Sequence, residues 1–224
     1  MTLSELKTLI QNYVENDETT FVATLNDMIL NTEERIFELI QFDVFRKNVT
    51  GNLTTGNTYL TAPTDFYLSF SLAIIDSNND YHYLDKKHTT FMREYSNDAV
   101  ATSERGRPLY YADFDKELST ATNNGSTLIV SPVPDTDYNI ELHYLYKPPS
   151  LTSETTGTWM SQNARNALLY GCLVEASSFM KLPVDTQTMY EARFGQEVSR
   201  LKNRAEARGR RDEYRYDSIR TEVS

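Results

Sequence analysis

The apolar residues of this chain change period twice, from three-to-four to two and back, and that order restricts the folds open to it. Leu3, Leu6, Leu9, Ile10, Tyr13 and Val14 recur at helical steps. Phe21, Leu25, Met28, Ile29, Ile36, Leu39 and Ile40 repeat the pattern, with Thr32 as the one polar residue on that face. Thr2-Leu3-Ser4-Glu5 has the spacing of a capping box, in which hydroxyl and carboxylate satisfy two orphan amides. Asn16-Asp17 breaks the first helix, and Glu18, Asp27, Glu34 and Glu38 fall on the side away from the apolar stripe. Residues 2–42 are therefore predicted to form a helical hairpin.

From Phe45 onward the segments become short, aromatic and β-branched, with turn residues between them. Asn52 to Thr61, with Gly51 and Gly56, reads as a hairpin. Phe66, Leu68, Phe70, Leu72 and Ile74 alternate with Tyr67, Ser69, Ser71 and Ala73, as in a half-buried strand. Tyr81 to Leu84 starts the returning strand, residues 86–95 read as a short helix and 96–106 as a loop. Pro108 to Phe114 and Thr127 to Val130 are strand-like, with a turn at Asn123-Asn124-Gly125. The clearest strand puts Tyr138, Ile140, Leu142, Tyr144 and Tyr146 on one face and Asn139, Glu141, His143 and Lys147 on the other. Pro148-Pro149 ends it, since neither residue can donate to a ladder.

Helical spacing then returns. Ser161 is expected to cap a helix over Asn163 to Lys181, with Ala164, Ala167, Leu168, Gly171, Cys172, Ala176 and Phe179 at helical spacing and three small residues on that face to admit a close neighbour. Leu182 to Asp185 makes a corner. Thr186 to about Ala207 is a further helix with Met189, Phe194, Val198 and Leu201 inward, and Gly209 is expected to stop it. The expected fold is α+β: an antiparallel helical bundle from the N- and C-terminal helix pairs, an inserted antiparallel β-domain, and an extended C-terminal arm. The expected boundaries are 1–42, 43–150, 151–208 and 209–224.

Several function classes are disfavoured by content. No apolar run approaches the roughly 20 residues that cross a bilayer, and Met1-Thr2-Leu3-Ser4-Glu5 lacks a secretory n-region, so a soluble, unexported chain is expected. One cysteine, Cys172, excludes an internal disulfide and a thiolate zinc cage, and His82, His88 and His143 are scattered; no metal or cofactor is expected. GxxxxGK[ST], GxGxxG and GxSxG are absent. His82 and His88 flank Asp85, but no nucleophile at a telling spacing completes a triad. Asp113 with Asp115, or Asp135 with Asp137, could be set at glycosidase distances, although aspartate is common at turns for backbone reasons. Cys172 reads as a small buried apolar residue rather than a nucleophile.

The formal charge of −10 argues against a surface built to neutralise phosphates. It is unevenly spread: residues 193–224 hold nine basic and six acidic groups, while residues 1–192 carry a net −13. The bland reading of the basic end is a solvated helix running into a frayed tail. The sharper one is an arm that docks on an acidic partner. Its candidates are Arg200, Arg204, Arg208, Arg210, Arg211 and Arg215, with Tyr214 and Tyr216 as aromatic anchors. Arginine interleaved with tyrosine also suits nucleic acid, but the acidic remainder of the chain speaks against that use.

The helical hairpin, the segments Leu128-Ile129-Val130-Ser131-Pro132-Val133-Pro134 and Tyr138-Asn139-Ile140-Glu141-Leu142-His143-Tyr144, and the run Ala167-Leu168-Leu169-Tyr170-Gly171-Cys172-Leu173-Val174-Glu175-Ala176 resemble the head-to-tail adaptor (connector) proteins of short-tailed double-stranded-DNA bacteriophages. Pro63-Thr64-Asp65-Phe66 and Tyr190-Glu191-Ala192-Arg193-Phe194 resemble them too, so the likeness spans roughly residues 2–205. It implies a structural virion protein of the neck, without an active site, made in the host cytoplasm. It also implies a ring, commonly of twelve copies, that contacts the portal, the tail nozzle and the fibres while genomic DNA passes through the lumen, with no membrane involved. Two other classes stay open. One is a carbohydrate- or receptor-binding tail component using Tyr67, Tyr81, Tyr83, Tyr110 and Tyr111. The other is a virion-associated glycan hydrolase using Asp113 and Asp115.

Overall fold

The computed structural model describes residues 1–40, 43–95, 102–115 and 126–213, with Asp43, Asp115 and 206–213 described as backbone only. Among them are six α-helices and eight strands in an α+β arrangement of two compact units. One unit is Met1–Asp43 with Pro148–Ser224, the other Val44–Lys147.

In the helical unit, α1 (Leu3–Val14) starts as its sequence requires. Thr2 Oγ1 accepts the Glu5 amide at 3.2 Å, and the Glu5 carboxylate accepts the Thr2 amide at 3.0 Å. The helix ends at Glu15, which takes up the left-handed conformation at φ 52°. In the connection, Asn16 Oδ1 accepts the Glu18 amide. Helix α2 (Thr19–Leu39) buries Phe21, Leu25, Met28, Ile29, Thr32, Glu33 and Ile36. Thr32 is tolerated there because its hydroxyl donates to the Met28 carbonyl at 2.8 Å.

The second helical stretch begins earlier than expected. Thr158, not Ser161, is the N-cap of α4 (Trp159–Asn163); Ser161 is the third helical residue, and its hydroxyl accepts the Thr158 amide at 2.9 Å. The axis breaks at Ala164, and α5 (Arg165–Phe179) follows. Helices α1, α2, α4 and α6 (Val184–Glu213) all pack on α5, which is buried around most of its circumference. Its small residues do allow close approach: a Cβ at Gly171 would overlap the Thr32 methyl and press on the Phe194 ring.

Helix α6 differs from expectation at both ends. Tyr190, Phe194, Val198 and Leu201 form its buried stripe, whereas Met189 is exposed, one position off that face. The helix also runs through Gly209 to Glu213 rather than stopping, so residues 209–213 are helical and not extended. One glycine costs about 1 kcal/mol against alanine, too little to end a long helix of otherwise good helix formers. Thirty residues give a helix roughly 45 Å long.

The β-unit is a two-sheet sandwich. The first sheet has the order β1 (Arg46–Leu53), β8 (Tyr138–Tyr146), β3 (Phe66–Ile75), β4 (Tyr81–Tyr83). The second has the order β2 (Tyr59–Thr61), β7 (Thr127–Ser131), β6 (Tyr110–Asp115), β5 (Asp85–Lys86). All pairs are antiparallel except β5 with β6, which run parallel. The shared core takes Leu53, Leu72, Ile74, Ile140, Leu142 and Tyr144 from the first sheet and Leu128, Val130 and Tyr111 from the second. Helix α3 (Thr89–Tyr95) covers the back of the second sheet, packing Met92 and Phe91 on Ala112, Ile129 and Tyr110.

Two expectations fail here for topological reasons. Asn52 to Thr61 is not a hairpin: β1 pairs with β8 and β2 with β7, in different sheets. In β3, register shifts lie between Phe66 and Leu68 and between Ser69 and Ser71. They leave Leu68 and Phe70 exposed and bury Ser69, because an extra residue switches the face on which the following side chains lie. The turn expected at Asn123-Asn124-Gly125 lies outside the described residues.

Candidate docking surfaces

Of the arm residues, Arg200 is largely exposed and its Nη1 donates to Glu197 Oε1 at 2.6 Å, one helical turn back. Arg204 is exposed. Arg200, Arg204, Arg208 and Arg211 occupy positions i, i+4, i+8 and i+11 of α6, which is one stripe of helix register, and Arg210 lies off it. Tyr214, Arg215 and Tyr216 lie outside the described residues. Nearer the core, Arg35 ties α2 to α6 by pairing with Glu191 and lying 4.5 Å above the Phe194 ring.

The catalytic candidates are held in structural contacts. Asp113 accepts from Lys86 Nζ at 2.7 Å and Ser69 Oγ at 3.0 Å, and a register shift separates it from Asp115. Asp135 accepts the Tyr138 hydroxyl at 2.7 Å, while Asp137 accepts both the amide and the hydroxyl of Thr55. His82 meets Asp76 at 3.2 Å rather than Asp85, and His88 closes a local turn with Thr90. Asp76 and Asp137 both line a cleft of about 560 Å³ at one end of the first sheet. Asp76 is held below the usual carboxylate range by the Asp80 amide, then by His82, and Asp137 by the Thr55 amide. Asp76 is occupied by the turn it organises, and Asp137 by the distant segment at Thr55. Cys172 is fully buried, and burial pushes its thiol up to about 12. Among the described residues no cluster of three or more His, Cys, Asp or Glu could hold a metal, and no helix is long and apolar enough to cross a membrane.

The five tyrosines proposed as a sugar platform do not share a surface. Tyr111 is a core residue, 1% exposed, because its strand position faces the other sheet. Tyr110 packs edge-on against Phe91 and Tyr95 on the opposite side of the second sheet. Tyr67, Tyr81 and Tyr83 are exposed on strands of the first sheet, and the Tyr81 hydroxyl reaches Glu141 at 3.2 Å.

Two features escaped the sequence reading. Glu33 is a buried carboxylate on α2 that accepts the Ser150 hydroxyl at 2.5 Å and the Leu151 amide at 3.0 Å. It pins the chain to α2 just after its return from the β-unit. Burial pushes this carboxyl up, against the two hydrogen bonds. The other is a set of contacts on the outer face of the first sheet. There the Arg46 guanidinium lies 4.4 Å over the Phe70 ring, which in turn meets His143.

The chain folds as a helical unit and an inserted β-sandwich, with Arg200, Arg204, Arg208 and Arg211 in register along α6 and the candidate carboxylates held in structural contacts. The family model described as SU10 adaptor protein matches residues 1–220. The chain therefore belongs to the SU10 adaptor protein family, in accord with its likeness to phage head-to-tail adaptors. Comparison with curated proteins yields no match.

Proposed function

We propose that this chain is the head-to-tail adaptor of a phage virion neck, assembled in the host cytoplasm as a ring beneath the portal. The ring, commonly of twelve copies in such adaptors, joins the portal to the tail nozzle and fibres and leaves a lumen for the genome. The observation that carries this reading is the family match, which takes in the helical unit, the β-sandwich and α6 together.

In this reading residues 1–42 and 151–208 supply an antiparallel helical bundle and residues 43–150 the inserted domain. A cyclic ring is heterologous, so each subunit needs two different complementary surfaces. The α1–α2 hairpin holds eight acids against Lys7 and Arg35, and the end of α6 carries Arg200, Arg204, Arg208, Arg210 and Arg211. Those arginines, with Tyr214, Arg215 and Tyr216, dock on acids of the portal or of a neighbouring copy. A net charge of −10 suits a conduit, since negative walls do not retain a passing polyanion.

Light scattering on the purified chain, alone and after mixing with portal particles, tests the proposal. A species near 25.8 kDa alone that co-sediments in many copies per portal supports a template-assembled adaptor. A chain that ignores the portal overturns it.

A further inference from the structure

The edges of the β-sandwich are unequal. Three of its four edge strands are short: β2 and β4 have three residues each and β5 has two, and short edges are one of the ways proteins avoid unwanted pairing. The fourth, β1, is eight residues long, and seven of the eight are exposed. It pairs with β8 without a register shift, and its sequence contains no proline. Its one lysine, Lys47, is neutralised by Asp65 at 2.6 Å. Among the described residues no strand pairs with the far side of β1, so a long regular row of amides and carbonyls faces outward there.

The two faces of β1 say what would fit. Lys47, Val49, Gly51 and Leu53 share the core face with Tyr144, Leu142, Ile140 and Tyr138 of β8. On that side Val49 is 37% exposed and Gly51 has no side chain, so the core layer thins toward the edge. On the other face stand Arg46, Asn48, Thr50 and Asn52, a row with one cation and no acid.

A second copy of the sandwich is a poor occupant. Among the described residues its other edges offer at most three residues to match eight, and β1 against β1 would be a two-fold contact that closes as a dimer and cannot continue round a ring. We propose that the outer edge of β1 receives an extended strand from a different protein of the assembly, apolar at alternate positions over Val49 and Gly51. The inference rests on the adaptor reading for the identity of that assembly.

The experiment compares the full chain, free and in necks purified from virions, by hydrogen exchange of peptides spanning 46–53. Exchange slowed by roughly tenfold or more in the neck is expected, because a new ladder protects the outward amides. A photo-cross-linker on Thr50→Cys, selective because Cys172 is buried, is expected to capture another neck protein. Val49→Lys, which puts a charge on the core side of the edge, is expected to keep the melting temperature and lose incorporation into necks, with Val49→Thr incorporated normally. Unchanged exchange at 46–53 while peptides of the helical unit gain protection overturns the strand proposal and leaves the adaptor reading standing. Capture of the same chain by the cross-linker also overturns it, in favour of a second copy. A chain absent from necks overturns both.

Discussion

Gly171 on α5 faces Thr32 on α2 with no room for a methyl group between them: a Cβ at Gly171 would overlap Thr32 Cγ2 and stand 3.0 Å from the Phe194 ring. Three helices therefore meet at one point that only glycine satisfies. Gly171→Ala gains helix propensity but forces a β-branched, buried neighbour to move, so a net loss of about 1–3 kcal/mol is expected from overpacking. Thr32→Ser removes the clashing methyl and keeps the hydroxyl that bonds Met28. Thermal unfolding of the single and double variants should show partial rescue in the double; independent effects would remove the contact as the cause.

Glu33 gives a pH signature of defined sign. Burial raises its folded-state pKa above the ordinary 4.5, so the native state holds the proton more tightly than the unfolded chain. Between 4.5 and the raised value, stability therefore falls as pH rises, and the contribution is fully present only in acid. Glu33→Gln can still accept the Leu151 amide and contact Ser150, so it should be at least as stable as the parent at neutral pH, with the difference shrinking on acidification. Glu33→Ala leaves that buried amide unsatisfied and should cost about 1–3 kcal/mol. Denaturant titrations at pH 4 and 7 check both.

Asp65 behaves in the opposite sense. Burial pushes its carboxyl up, but Lys47 at 2.6 Å and the Tyr144 hydroxyl at 2.8 Å bring it below the usual 3.8. The Tyr144 phenol is correspondingly pushed up to about 12, by burial and then by Asp65. The carboxylate stabilises the sandwich above its ordinary pKa, and that contribution is lost as pH falls through the lowered folded value. Asp65→Asn should be less stable than the parent at pH 6, with the gap closing as the solution is acidified below 3.8; a constant gap would mean the charge is not its source.

The α6 arginines are predicted to act between molecules. Replacing Arg208, Arg210 and Arg211 together by alanine should weaken attachment to portal particles and leave the melting temperature of the free subunit within about 1 °C, because on the docking reading these residues act between molecules and not within one. A lower melting temperature would instead indicate packing within the subunit, and unchanged attachment would remove these residues from the docking surface.

The helices were legible because their stripes come from one local period: Leu6, Ile10, Phe21, Leu25, Ile29 and Ile36 are all buried. The capping box at Thr2 is equally local. Strand existence was legible too, β8 above all, but strand partnership was not. Asn52 to Thr61 carries hairpin residues, yet its two strands pair with β8 and β7, some 70 to 90 residues away. Nothing in alternation marks where β3 takes its register shifts, which is why Leu68 and Phe70 were placed on the wrong side. Met189 and Tyr190 are adjacent, and composition alone did not choose the inward one. Glu33 stood among exposed acids in the sequence; its partners lie 117 and 118 residues further on.

The insertion of Val44–Lys147 between the two halves of the helical unit also sets an order in time. Helices α1 and α2 bury their stripes on α5, which the ribosome supplies only after the whole β-sandwich. At synthesis rates of roughly 5–20 residues per second, those first helices wait on the order of 7–28 s with Phe21, Leu25 and Ile36 uncovered.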